Sequence, residues 1–477
     1  MKKPVSVRPA TRPAKSVEAL YGLISQAIKS RKQDVTAEDI LDLFGQLSDE
    51  YDTDVNSPLN MGYFCIDADL VSLSALYETE RRAANIAVGG QHPAAVALEH
   101  YTVDIILKKF GMDPRSGHGH YTSGGTESNL TAMIVALGQR FRHQVLDALH
   151  YDADMCRSTE GTLEPYTYFR HGTSPLKAMP TVYVAPQTHV SIRKNARTLI
   201  GESSVRFVPM THGLKMDPRA LDRMMTADKK SGRMIPFMVV GTIGATESGI
   251  IDPLADIGRV CRKHGVWFHI DAPWGGIAAF SKKIASAHLS GLQMADSITF
   301  DPHKTLVPLG AGGCGMFLTP HRRAVARSFS VSDTVPTTYD YAYMSLQGSR
   351  ANSGLRTMVQ LVDPDGLASR FEHEVALGDR LRRGLKKAGW QITNKTPLPV
   401  VCAIHPTMRD RGVTADDIVT RLADWGVLAK SALLRPDEPA SLRLGIISRR
   451  TMATDIDRVI DLLKSLVKTH LSSKLPP

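Results

Sequence analysis

From about residue 85 onward the chain alternates short apolar runs with longer stretches in which apolar positions recur every three or four residues. The runs "TVYVAP" (181–186), "MIPFMVVGT" (234–242), "GVWFHIDA" (265–272) and "DSITFD" (296–301) read as buried strands. "AAVALEHYTVDIILKKFG" (94–111) predicts a long amphipathic helix closed by Gly111. In "DPLADIGRVCRKHG" (252–265), Asp252 is placed to cap, Pro253 to open the first turn and Gly265 to end a crossover helix. Apolar strands alternating with capped helices predict an α/β fold, a mostly parallel sheet covered on both faces, with ligands at the carboxyl ends of its strands.

The flanks are patterned differently. Residues 1–16 carry prolines and basic residues without periodicity and read as a flexible tail. Helical patterning fills 17–84, with "TAEDILDLFGQL" opening on a capping arrangement of Thr36 and Asp39. The sheet-forming region extends over 85–350. It ends in a Ser-, Thr-, Tyr- and Gly-rich segment (328–354) that reads as a long loop. Residues 351–477 return to helix and strand, as in "SRFEHEVALGDRLRRGLKKAG" and "LRLGIIS", and predict a smaller α+β domain.

Composition narrows the function classes. With 477 residues, 43% of them hydrophobic, the chain can bury a large core. No apolar stretch approaches the roughly 18 residues that span a bilayer, and the opening lacks the apolar segment of a secretory signal, so the expected setting is cytoplasmic and without a membrane partner. Five scattered cysteines fit reduced, buried thiols. The net charge of +10 is dispersed in short pairs and the tail, without a basic helix or an aromatic-interleaved patch. Attraction of anionic substrates or plain solubility therefore explains it better than nucleic acid does.

Four clusters fall where strands stop: "YTSGGTESN" (121–129), "APQTH" (185–189), "HIDAPWGG" (269–276) and "DPHKT" (301–305). Gly124, Gly125, Thr126 and Ser128 precede a helix whose amino end suits a phosphate, or simply begin a capped helix. Asp271 ends a very apolar run and so requires a cationic or hydrogen-bonded partner. A protonated pyridine nitrogen fits, and a metal or a helix amino end are the alternatives. Lys304 lies 33 residues further on, enough for one crossover to the neighbouring strand. A desolvated lysine there can form a covalent imine with a cofactor, whereas an ordinary strand-end lysine reaches solvent. His303 can donate to a phosphate oxygen, and His189 can lie flat on an aromatic ring or serve as a structural histidine. "GAGGCG" (310–315) lacks the long helix that a dinucleotide motif requires, and His118 and His120 lack further ligands for a metal.

Together "TSGGTESN", "HIDAPWGG" and "DSITFDPHK" resemble the fold-type I, pyridoxal-phosphate-dependent group II decarboxylases, which include glutamate, aromatic amino acid and diaminobutyrate decarboxylases, with sphingosine phosphate lyase as a relative. The resemblance extends over roughly 60–465. It implies a seven-stranded, mostly parallel sheet, pyridoxal 5'-phosphate as cofactor and a homodimer acting on an amino acid. It implies that Lys304 is the Schiff-base lysine, that Asp271 pairs with the pyridine nitrogen and that His189 stacks on the ring. Gly125, Thr126 and His303 would hold the phosphate, Thr242 and Thr246 would line the cofactor, and Arg350 would lie close to the substrate carboxylate. Loop 328–346 would close over the site and bring a proton-donating tyrosine, Tyr341 first among Tyr339, Tyr341 and Tyr343. Two departures stand out: Pro273 replaces a common alanine, and the loop is short.

The activity expected is decarboxylation of an L-amino acid to its amine. A carbon–carbon lyase acting on a phosphorylated amino alcohol is the nearest rival, and a catalytically silent binding protein a third reading. Intact Lys304 and Asp271 argue against the last.

Overall fold

The computed structural model describes residues 16–30, 36–87, 90–142, 150–309, 313–329 and 341–469. The tail predicted over 1–16 falls almost wholly outside these residues. Seven strands form the large sheet: β1 (His118–Thr122), β2 (Met179–Val184), β3 (Val205–Phe207), β4 (Met234–Thr242), β5 (Trp267–Asp271), β6 (Ser297–Phe300) and β7 (Gly315–Thr319). Their spatial order is β1-β7-β6-β5-β4-β2-β3, and β7 alone runs antiparallel to its neighbours. The four predicted strand runs are β2, β4, β5 and β6. They are buried nearly end to end, as a sheet covered on both faces demands.

The predicted helical start is present as α1 (Val17–Ser30), α2 (Ala37–Tyr51) and α3 (Leu70–Arg82), and Thr36 and Asp39 close a reciprocal capping box on α2. The long helix follows as α4 (Pro93–Lys109), ended by Gly111 at φ +74°. The crossover helix Leu254–His264 ends at Gly265 with φ +63°, but Asp252 does not cap it. Its carboxylate instead accepts the backbone N–H groups of Met216 and Thr242, at 2.8 and 2.9 Å, and ties loops to β4.

A four-stranded antiparallel sheet, β8 (Gln391–Ile392), β9 (Val400–Ile404), β10 (Lys430–Ala432) and β11 (Ser441–Gly445), forms the smaller domain with helices Pro364–Lys387 and Ala453–Thr469. Its core also takes in Leu59 and Met61, and Met61 donates its N–H to Leu428 at 2.9 Å while accepting from Gly445 at 2.7 Å. Part of the amino-terminal segment thus completes the carboxyl-terminal domain, a long-range pairing with no local signature.

Candidate active site

The carboxyl ends of three adjacent strands set the floor of the site. Thr242, Asp271 and Thr299 lie side by side in register across β4, β5 and β6. One residue beyond β6 begins a one-turn helix, Pro302–Thr305, which carries His303 and Lys304. From the opposite side comes the amino end of α5 (Gly125–Arg140), and His189 heads the helix Val190–Leu199.

Asp271 is 1% exposed. Burial pushes its carboxyl above the usual range, while the charges of His189 and Lys304 and a hydrogen bond from Asn129 pull it back. His189 is held below its ordinary value by burial, with the Asp271 charge opposing. Lys304 Nζ meets Asp301 Oδ2 at 3.1 Å, and Asp301 is itself buried with its second oxygen unpartnered among the described residues. His303 Nδ1 lies 2.9 Å from the Cys314 carbonyl and 3.0 Å from the Cys314 N–H, and its Nε2 is 3.7 Å from Asp301. The same imidazole lies beside the glycine turn, since a Cβ on Gly124 would come 3.6 Å from its Cε1.

These residues fit a pyridoxal phosphate. The amino end of α5 offers unpaired N–H groups and a favourable dipole at Gly125 and Thr126. The Gly125 position is closely approached, because a Cβ there would come 2.8 Å from Asp301. Thr242 is in register with Asp271, and its buried hydroxyl has no hydrogen-bond partner among the described residues, an orphan that a bound group would satisfy. Thr246 contributes its carbonyl to Arg443 at 2.7 Å, an anchor to β11.

Two predicted residues lie elsewhere. Arg350 donates to Glu99 and to the Tyr121 carbonyl, both at 2.8 Å, with its side chain 4% exposed. In this structure the Arg350 charge is met by the buried Glu99 carboxylate. Tyr341 stacks on His100 with ring centroids 5.0 Å apart and lies under Arg350, inside the core rather than against Lys304. Tyr339 falls outside the described residues, and Tyr343 is half exposed. His118 and His120 face each other at 3.0 Å between ring nitrogens. Among the described residues no group of three or more His, Cys, Asp or Glu side chains is arranged to hold a metal.

Sequence reasoning missed Asn129 and Asp301. Both stand within quoted motifs, but only the folded chain brings them against Asp271 and Lys304.

The fold and this cluster define a pyridoxal-phosphate enzyme of the decarboxylase type, and the comparisons agree. Residues 167–404 match the pyridoxal-dependent decarboxylase conserved domain, and the chain belongs to that family. Acidic amino acid decarboxylase GADL1 of Xenopus tropicalis is 26% identical over 441 residues, covering 87% of this chain and 80% of that protein. L-2,4-diaminobutyrate decarboxylase of Acinetobacter baumannii is 33% identical over 234 residues, 48% of this chain and 42% of that protein. The crystal structure of mouse CSAD in apo form superposes with a TM-score of 0.79 at 24% identity, over 95% of this chain and 92% of that one.

Proposed function

We propose that the chain decarboxylates an L-amino acid with pyridoxal phosphate covalently held at Lys304. The observation that carries this reading is the convergence of Lys304, Asp271, His189 and the amino end of α5 at the carboxyl ends of adjacent strands. When bound, the cofactor supplies an electron sink for the pair released as the carboxylate leaves as CO₂. Asp271 would keep a proton on the pyridine nitrogen, and that cation would offset the cost of burying the carboxylate. His189 would cover one ring face, Gly125 and Thr126 would meet the phosphate through backbone N–H groups, and His303 would face it from beside the glycine turn. Asp301 holds the Lys304 ammonium whenever the amine is unlinked.

A homodimer is part of this reading. Tyr21, Phe44 and Leu70, on α1, α2 and α3, are 73, 67 and 81% exposed, and α2 buries none of its residues. Apolar faces of that extent favour cover by a second copy. A reducing, cytoplasmic setting is supported by five unpaired cysteines.

The test is borohydride reduction of the yellow holoenzyme followed by peptide mapping, with mass detection of products from a panel of amino acids and phosphorylated sphingoid bases. A pyridoxyl adduct on Lys304 together with amine and CO₂ is expected. An adduct elsewhere would overturn the lysine assignment, and an aldehyde with phosphoethanolamine would identify a carbon–carbon lyase.

A further inference from the structure

Asn129 lies 1% exposed in the second turn of α5 and contacts three other elements at once. Its Nδ2 donates to Asp271 Oδ1 at 3.1 Å and to Ser191 Oγ at 3.0 Å. Its Oδ1 accepts the Thr299 hydroxyl at 2.6 Å and lies 2.9 Å from His269 Nε2. Both N–H groups and both lone pairs are therefore engaged, and the amide has one sensible orientation. A flipped amide would set its oxygen against the Asp271 carboxylate.

That orientation orders the protons around it. Oδ1 only accepts, so neutral His269 carries its proton on Nε2 and accepts on Nδ1 from Ser297, 2.8 Å away. Ser297 can donate because its oxygen already accepts the Trp267 indole N–H at 2.8 Å. On the other side, Ser191 accepts from Asn129, which frees its own proton for His189 Nδ1 at 2.9 Å. The Ser191 backbone N–H points at the same nitrogen from 3.3 Å. His189 is thereby held with its proton on Nε2.

We propose that Asn129 is a positioning residue that fixes Asp271 and the tautomer of His189 together through one side-chain amide, so that the two groups assigned to the cofactor ring are set by a single donor. The inference rests on the cofactor reading above. Asn129→Asp keeps the shape and reverses the logic: a second carboxylate faces Asp271, and Ser191 donates to that introduced carboxylate in place of His189. Ser191→Ala removes the hydroxyl that links Asn129 to His189, keeps Asn129 on Asp271 and leaves the backbone N–H of position 191 on His189 Nδ1.

The experiment combines steady-state kinetics of cofactor-saturated protein with nitrogen NMR of histidine-labelled, cofactor-free protein. For Asn129→Asp, kcat is expected to fall about tenfold or more with KM within about threefold, and the His189 signal to leave the Nε2–H tautomer. Ser191→Ala is expected to move the His189 signal by itself, which keeps the idea testable if Asn129→Asp does not fold. Wild-type kcat in Asn129→Asp, or an unchanged His189 tautomer in both variants, overturns the inference. If wild-type protein takes up no pyridoxal phosphate, the cofactor reading fails instead, while the NMR result still decides the network.

Discussion

Arg449 reaches from the carboxyl-terminal domain to donate to the carbonyl of Leu306 at 2.7 Å, two residues past Lys304. Arg370, from the helix Pro364–Lys387, donates to the neighbouring Thr305 carbonyl at 2.6 Å. These carbonyls end the one-turn helix that carries Lys304, where no helical partner remains for them and a cation is favoured. Arg449 also holds Asp69, the cap of α3, at 2.5 Å, so one guanidinium joins three parts of the chain.

The first prediction follows from that fork. Arg449→Lys keeps the charge and loses the two-sided reach. Unfolding by urea should show a loss of about 1–3 kcal/mol, and kcat should fall about tenfold at saturating cofactor because the lysine turn is less firmly held. Unchanged kcat with the stability loss would make the contact purely structural.

Glu374 gives a pH dependence. Its carboxyl is buried against Arg370 at 3.5 Å, and burial pushes it up to about 8 despite Arg370 and Arg449. The folded state then keeps a proton that the unfolded chain loses at about pH 4. This contribution to stability is full below that pH, is lost as pH rises to about 8 and is flat beyond. Glu374→Gln does not titrate, so in urea midpoints it should gain on wild type by a few kcal/mol between about pH 5 and 8. Parallel curves would mean that Glu374 is ionised throughout.

Asp271→Asn should retain the cofactor and lose turnover by on the order of 3 kcal/mol, about 100-fold, because a neutral amide cannot hold the pyridine nitrogen protonated. Cofactor-free, it should be no less stable at neutral pH. Burial raises the Asp271 carboxyl, so its contribution is lost as pH rises through that raised value. Near-normal turnover would remove Asp271 from its role.

The assembly is tested on α2. Leu41→Glu with Phe44→Glu places two charges on an exposed apolar face. Sedimentation should show wild type as a dimer and the double variant shifted to monomer with reduced activity. An active wild-type monomer would end the dimer reading.

Strand ends were legible wherever a buried run stops at a reactive side chain: Asp271 after "GVWFHI", Lys304 after "SITFDPH", and His189 after "TVYVAPQT". Each is announced by its immediate neighbours. Asn129 meets Asp271 across 142 positions and Arg449 meets Leu306 across 143, so no local pattern marks either. Asp252 shows the opposite error, since a strong local capping signal yields to two tertiary N–H groups. Arg350 is matched by motif alone, and the motif carries no information about Glu99, which pairs with it from α4.

That pair and its neighbour give the last prediction. Tyr341 carries a buried hydroxyl with no hydrogen-bond partner among the described residues, and burial holds its phenol well above the usual value. Removing a polar atom from such a place relieves a desolvation cost, so Tyr341→Phe should unfold at the same urea concentration as wild type or a higher one. Turnover and product should be unchanged, because the ring stacks on His100 and has no contact with Lys304 within the described chain. Glu99→Gln differs in kind. It leaves the buried Arg350 cation without its counter-charge, which should cost about 3–5 kcal/mol. If Tyr341→Phe instead abolishes amine formation while the cofactor stays bound, the phenol is the proton donor, and the segment around it must leave this core during turnover.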